Sequence, residues 1–376
     1  MSGPYDVVVV GLGAMGSAAA FHLARQGRKV VGLDRFTPPH SFGSSHGQTR
    51  IIREAYFEHP LYVPLVQRAY QLWAELEHAS GRDLLRITGG LMIGRPDGVL
   101  VGGARRSAEQ HRLRHELLTA AELRTRFPAL RPADDMVAVW EPRGGILFPE
   151  AGVSAHLALA QAHGATLRYD EPLASWRSEG DGVRVVTDKG EYRAGQLLLT
   201  AGAWIRTLVP ELNLPFTVER QVVYWFAPRA DPALFAPARC PVHLWETAPR
   251  TFFYGVPDLG DGVKVAGHHA GEAADPDQLR RTVSGAEVAA MRELVRRFLP
   301  DADGALRSAA VCMYTNTPDE HFWIDWHPQQ AQVLIASACS GHGFKFSSVI
   351  GEVLAELLIG GQSRFDLSLF RGRGGR

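Results

Sequence analysis

The sequence predicts an α/β fold with two sheets: a buried, parallel one that opens the chain, and a mostly antiparallel one in a second domain. Three observations predict it. The first is a Val-rich run, Tyr5 to Val10, of the kind found in strands covered on both faces, which ends in Gly11-Leu12-Gly13-Ala14-Met15-Gly16. The second is the segment just after those glycines. Small and apolar residues stand at helical positions (Ala18, Ala19, Leu23, Ala24), Gly27 supplies a stop, and a strand from Lys29 to Leu33 delivers Asp34. The third is the stretch from Val218 to Gly267, where apolar and polar residues alternate between frequent Gly and Pro, as in antiparallel strands with one exposed face.

The opening segment reads as one βαβ unit. Glycines in the pattern G-x-G-x-x-G between a strand and a helix let the backbone approach a pyrophosphate, and the helix N-terminus offers free N–H groups and a positive dipole. An acid at the end of the second strand takes the ribose hydroxyls. Gly11, Gly13, Gly16 and Asp34 are therefore candidate dinucleotide ligands in a Rossmann-like domain, and they do not separate FAD from NAD. Residues 35–50 hold two prolines, two glycines and several Ser and Thr, so they predict a long polar loop placed to run beside an extended cofactor. Arg35, Ser44 and His46 lie on it. At its end Arg50 and Arg53 stand three apart, which would put them on one face of a helix.

Further along, Leu61 to Glu77 has apolar residues at helical spacing and ends near Gly81, and Thr119 with Glu122 reads as a capping box. Gly144 to Pro149 reads as a break before a helix from Gly152 to His163 and a strand from Ala165 to Tyr169. A hairpin is expected from Val183–Val186 and Glu191–Ala194, then another strand from Gln196 to Thr200 that runs into Ala201-Gly202-Ala203.

Composition narrows the function classes. The 376 residues are 45% hydrophobic and 21% charged, which excludes disorder and collagen-like fibres. Forty basic and forty acidic residues cancel, so no overall field favours nucleic acid or an anionic membrane. Any positive charge that matters is local. Of the forty basic residues only Lys29, Lys189, Lys264 and Lys345 are lysines. Three cysteines make no disulfide framework and fit a reducing, cytoplasmic compartment. Val7 to Ala20 has no basic segment before it and is interrupted by glycines, so it reads as neither signal peptide nor membrane span. Arg371 to Arg376 reads as a solvated tail.

Three later stretches are dense in chemistry. Lys264-Val265-Ala266-Gly267-His268-His269 carries adjacent histidines, which point to opposite faces of a strand and cannot both serve one small site; no metal is expected there. Cys312, in Cys-Met-Tyr-Thr-Asn-Thr-Pro-Asp-Glu, reads by itself as a small buried hydrophobe. Ser340-Gly341-His342-Gly343-Phe344-Lys345-Phe346 is a glycine-rich turn between the strand Val333–Ala338 and a helix with apolar residues at 3.6 spacing, a second feature friendly to anions.

Taken together, Gly11 to Gly16, Gly47 to Tyr56, Lys264 to His269, Cys312 to Glu320 and Ser340 to Phe346 resemble, in the same order, the motifs of the monomeric sarcosine oxidase family of flavoenzymes, which includes N-methyltryptophan oxidase and pipecolate oxidase. The resemblance covers nearly the whole chain. It implies an FAD-binding Rossmann-like domain made of residues 1–85, 145–218 and 320–376, with a substrate domain on a mostly antiparallel sheet made of 86–144 and 219–319. It implies FAD joined through its 8α-methyl group to the sulfur of Cys312, which overrides the reading of that residue as a plain hydrophobe. Gly341, Gly343 and Lys345 join the cofactor ligands.

The resemblance also implies Arg53 and Lys345 for a substrate carboxylate, Arg50 and Lys264 for positions near the flavin ring, and His269 and Tyr314 for the active site. Tyr254 and Tyr56 are further carry-overs, and Trp245 falls where the family has substrate-contacting side chains. Where sarcosine oxidases have a tyrosine before the active-site histidine, this chain has His268. The implied activity is oxidation of a secondary amino acid, sarcosine or a related N-methyl amino acid, by hydride transfer to FAD and reduction of O2 to H2O2. The implied enzyme is a cytoplasmic monomer whose partners are a small amino acid and O2, without nucleic acid or membrane. L-Pipecolate, L-proline or N-methyltryptophan as substrate, and a dehydrogenase that passes electrons to a carrier, are the alternatives. A guanidinium fork plus an ammonium suits a desolvated carboxylate, and cationic neighbours favour the neutral amine that can release hydride.

Overall fold

The structure, a computed structural model, describes residues 4–372. Arg373 to Arg376 of the expected tail lie outside that range. Tyr5–Val10 is the centre of an eight-stranded sheet in the order Leu173–Glu179, Gly182–Thr187, Glu191–Leu199, Tyr5–Val10, Val30–Leu33, Thr166–Arg168; Gln330–Ser337 and Trp323–His327 extend it beside Glu191–Leu199. Tyr5–Val10 pairs in parallel with both neighbours, and its valines are buried on both faces. Val7 and Val9 meet the helices Ala14–Arg25, Pro149–Ala162 and Ser347–Gly360, while Val8 and Val10 join the core on the opposite side. The two expected strands at 191–194 and 196–200 are one, Glu191–Leu199. Its first half pairs antiparallel with Gly182–Thr187 and its second half parallel with Gln330–Ser337.

A nine-stranded sheet forms the other half. It runs Glu272–Ala273, Thr217–Phe226, Val263–His268, Thr251–Val256, Val242–Ala248, Gly90–Gly94, Val137–Glu141, Glu116–Thr119, with Leu306–Asn316 along the other side of Thr217–Phe226. All of its pairings are antiparallel except that of Val242–Ala248 with Gly90–Gly94. One face packs Tyr224, Phe226, Val263, Val265, Trp245 and Phe253 against the helix Gly285–Phe298, whose Ser284–Glu287 capping box fixes its start. The other face looks toward the parallel sheet.

Two expectations fail at short elements. Arg50–Ile52 is a strand, not a helix, and Gly145–Leu147 is its antiparallel partner rather than a break; Leu85–Ile87 completes this three-stranded sheet. Three-residue strands carry too little alternation to show a period, and only their pairing defines them. The Thr119–Glu122 capping box is present as expected. Among the described residues no helix is long and apolar enough to cross a membrane.

Candidate active site

The two sheets face each other across a cavity of about 510 Å³. It runs from the C-terminal ends of the parallel strands, at Val10, Leu33 and Thr200, to the inner face of the antiparallel sheet. Crevices beyond the carboxyl ends of parallel strands are where such sheets hold ligands.

At the parallel end the wall is mostly backbone. Gly11 has φ +89°, and a Cβ there would lie 2.6 Å from the Thr200 carbonyl oxygen, so the strand can turn this closely only with glycine. Gly13 caps the helix Ala14–Arg25 without a side-chain bond and borders the cavity; the nearest atom to a Cβ on it would be Ser45 Oγ at 3.6 Å. The space in front of Gly13 thus belongs to the cavity and to no protein side chain. Gly16 lies inside the helix against Gly11 and does not border the cavity. Asp34 is buried, and its carboxylate accepts the Leu12 N–H (2.7 Å) and the Phe36 N–H (2.8 Å), which fixes it at the rim. Arg35 borders the cavity and pairs with Asp277 at 2.7 Å, as does the Trp204 indole at 2.9 Å. Ser44 lines the wall, whereas His46 is buried outside the lining, its Nε2 unpartnered and its pKa pushed down to about 4 by burial and then by Arg50.

The opposite end is built from side chains. Cys312 stands in mid-strand opposite Gln221, free and bordering the cavity, with Sγ 3.6 Å from Arg50 Nη2. Arg50 also donates to the carbonyls of Ser44 and Thr49, both at 2.8 Å. Lys264 is fully buried one layer behind the lining. Its Nζ donates to Gly47 O (2.7 Å), Thr49 O (2.8 Å) and Thr49 Oγ1 (3.1 Å), and burial, reinforced by Arg50, pushes its pKa well below the ordinary lysine value. Arg53 borders the cavity but is already engaged: Nη2 donates to both oxygens of Glu58 at 2.7 Å. Lys345 lines the wall and donates to the His342 carbonyl (2.7 Å) and the Tyr56 hydroxyl (3.3 Å); burial, then Arg53, pushes its pKa down to about 7. Gly341, at φ +73°, leaves room for the Tyr314 and His268 rings, which a Cβ would meet at 2.6 and 2.8 Å. Gly343 also borders the cavity.

Tyr254 and Tyr314 both line this end, their hydroxyls kept protonated by burial, Tyr254 pushed up to about 12 and Tyr314 well above the ordinary value. Two assignments are corrected. His268, not His269, borders the cavity. Lys264, Ala266 and His268 share one face of the strand Val263–His268, and His268 Nδ1 lies 3.3 Å from the Tyr314 hydroxyl. His269 does not border the cavity; it lies behind the Tyr314 ring (centroids 5.4 Å apart), at φ +53°, with Nδ1 3.5 Å from Glu219. Trp245 does not reach the cavity either. It is fully buried on the opposite face, packed on Phe298 and donating to His243, while its neighbour Leu244 lines the wall opposite Tyr254.

Glu58, His342 and Leu244 are not marked as site residues by the sequence, although all three border the cavity. His342 lies inside the Ser340–Phe346 motif, and Leu244 is marked by strand alternation with Tyr254. Glu58 has no local signal.

A cradle of glycines at one end and a free thiol with buried cations at the other fit a flavin dinucleotide. Residues 6–357 match the FAD dependent oxidoreductase family, to which the chain belongs. Within it the chain is 47% identical to monomeric sarcosine oxidase of Streptomyces avermitilis, over 98% of this chain and 97% of that one, and 36% identical to N-methyl-L-tryptophan oxidase of Salmonella heidelberg, over 98% of each. Among solved structures it resembles NikD, an amino acid oxidase essential for nikkomycin biosynthesis, with TM-score 0.85 and 26% identity over 99% of this chain and 98% of that one. The chain is thus an FAD-dependent oxidoreductase of the monomeric sarcosine oxidase family.

Proposed function

We propose that the chain oxidises secondary amino acids of the sarcosine type, with O2 as final acceptor. The observation that carries this reading is Lys345, a buried amine at the cavity wall whose two bonded acceptors are neutral, so that its charge is available to an incoming carboxylate. FAD would be held by Gly11, Gly13, Asp34, Arg35, Ser44, Gly341 and Gly343, with Cys312 as its covalent anchor. When bound, it supplies the hydride acceptor and passes the electrons to O2, which yields H2O2.

The protein's own groups do the rest. Lys345 binds the carboxylate as a point charge. Arg53 adds its fork only by giving up Glu58. His268, whose pKa is driven well below the ordinary value by burial and then by His269, is a neutral imidazole that positions the substrate amine without adding charge. Neutral histidine and buried cations together favour the unprotonated amine. Lys264, whose three oxygen acceptors favour its charged form against burial, is assigned to the oxygen step, where a positive charge would stabilise negative charge developing on O2. The division into FAD segments 1–85, 145–218 and 320–376 and substrate segments 86–144 and 219–319, and action as a cytoplasmic monomer, belong to the same reading; three free cysteines support the compartment.

A panel of sarcosine, N-methyl amino acids, L-proline and L-pipecolate read by H2O2 release tests the activity. Release with at least one N-methyl amino acid is expected. Turnover only with an added electron carrier would overturn the oxidase reading. Acid precipitation should leave flavin colour in the pellet, and Cys312→Ser should free it into the supernatant.

A further inference from the structure

Four groups beside the cavity form a hydrogen-bond chain whose direction is fixed at one end. His342 Nε2 lies 2.9 Å from the Glu320 carbonyl oxygen, which can only accept, so Nε2 carries the proton and Nδ1 of the neutral ring is an acceptor. The Tyr56 hydroxyl lies 2.7 Å from that Nδ1 and therefore donates to it. With its proton committed, the Tyr56 oxygen offers its lone pairs to Lys345 Nζ at 3.3 Å. All three side chains are buried, Tyr56 entirely, and the ring of His342 stacks on Phe322 at 4.9 Å. Glu320 holds its carbonyl in place with a left-handed backbone, φ +60°. Were the imidazole in the other tautomer, both Glu320 O and Nε2 would be acceptors facing each other, and Tyr56 would accept from Nδ1 and have only the His342 carbonyl oxygen, at 3.5 Å, to take its proton.

We propose that His342 is a positioning residue for the carboxylate subsite: its tautomer, set by the Glu320 carbonyl, orients the Tyr56 hydroxyl so that it accepts from Lys345 and holds that ammonium where a substrate carboxylate arrives. This rests on the reading of Lys345 as the carboxylate anchor. A hydroxyl that accepts from the ammonium favours its charged form, opposing the burial and the Arg53 and Arg50 charges that disfavour it; Glu58 acts in the same sense as the hydroxyl. Removing the hydroxyl therefore lowers the pH above which the amine is neutral and the carboxylate is no longer held.

The test uses FAD-loaded enzyme and methoxyacetate, a carboxylate with an ether in place of the amine, followed by the flavin absorbance change across pH. Tyr56→Phe, which keeps the ring, and His342→Phe, which keeps the stack on Phe322, should each raise Kd about tenfold, the scale of one hydrogen bond to a charged group. Each should also move the midpoint of the pH dependence downward, and the double variant should be no worse than either single. His342→Asn, with an acceptor near the Nδ1 position, should recover part of the loss. Unchanged Kd and midpoint in Tyr56→Phe, or fully additive effects in the double variant, would overturn the positioning role. Lys345→Met is the separate control: if it binds methoxyacetate normally, the anchor itself is misassigned, whereas loss of binding there with normal Tyr56→Phe and His342→Phe rejects the proposal alone.

Discussion

The two ends of the cavity are made by different means. The parallel end comes chiefly from one stretch, Val10 to Ser45, joined by Thr200 to Trp204, and presents mostly backbone: glycines, a helix start and one acid fixed by two amide bonds. The antiparallel end is assembled from segments far apart in the chain, around 50–58, 244–268, 312–314 and 341–345, and presents buried cations, imidazoles and phenols. A site made of backbone depends on local conformation, so it tolerates changes in side chains that do not fill it. A site made of side chains on strands depends on which face each residue takes.

The largest expected effect tests the side-chain end. Lys345→Met is expected to raise KM for amino acid substrates roughly a hundredfold through loss of a charge-assisted contact, with amines lacking a carboxylate little affected. In the wild type the amine is charged below about pH 7 and neutral above it, so carboxylate affinity should be highest on the acid side and fall as pH rises through that value. Methoxyacetate titrations would show this directly, and a pH-independent Kd would contradict it. Next comes the backbone end. In Gly13→Ala the added Cβ meets no protein atom closer than ordinary contact but borders the cavity, so the apoprotein should fold and melt normally while bound FAD falls about tenfold, on the order expected when a cradle for a pyrophosphate is filled; normal flavin content would break the contrast between the two ends.

A smaller difference separates the paired histidines. His268→Asn should lower kcat/KM by about tenfold, the scale of one lost hydrogen bond, while His269→Asn should stay within about twofold; equal losses would mean that bordering the cavity does not distinguish them. The smallest effect is at Trp245→Phe, which should cost about 1–2 kcal/mol in denaturant unfolding by leaving a core void, with KM unchanged.

The same contrast explains what is legible in the sequence. The βαβ unit with Gly11, Gly13, Gly16 and Asp34 is plain because its signals are contiguous and each has a local cause. Both misplaced side chains, His269 for His268 and Trp245 for Leu244, are off by one residue: Trp245 and Leu244 point to opposite faces of one strand, whereas His269 lies just past the end of Val263–His268 in a left-handed backbone. The expectation that the adjacent histidines point to opposite strand faces does not describe them: the strand ends at His268, and both rings lie near the Tyr314 ring, with centroids 5.6 and 5.4 Å from it, with only His268 bordering the cavity. What the sequence alone lacks is where Val263–His268 ends and how it is registered against Thr217–Phe226, with Lys264 opposite Trp225. The His342–Tyr56–Lys345 chain is invisible for another reason. It arises where the segments around Tyr56 and Lys345, far apart in the chain, meet, and no periodicity records that meeting. The Arg53–Glu58 pair lies within one irregular segment, at a spacing of five that matches neither a helix face nor a strand face.

Thr217–Phe226 and Leu306–Asn316 are paired along their length, and Cys312 sits in the middle of that ladder, while the glycine cradle belongs to the other sheet. A cofactor gripped at one sheet and, on the proposed Cys312 link, fastened at the other would act as a splint across the joint. Heating the loaded protein is then expected to release both sheets in one calorimetric transition, and the unloaded protein to part at the seam first.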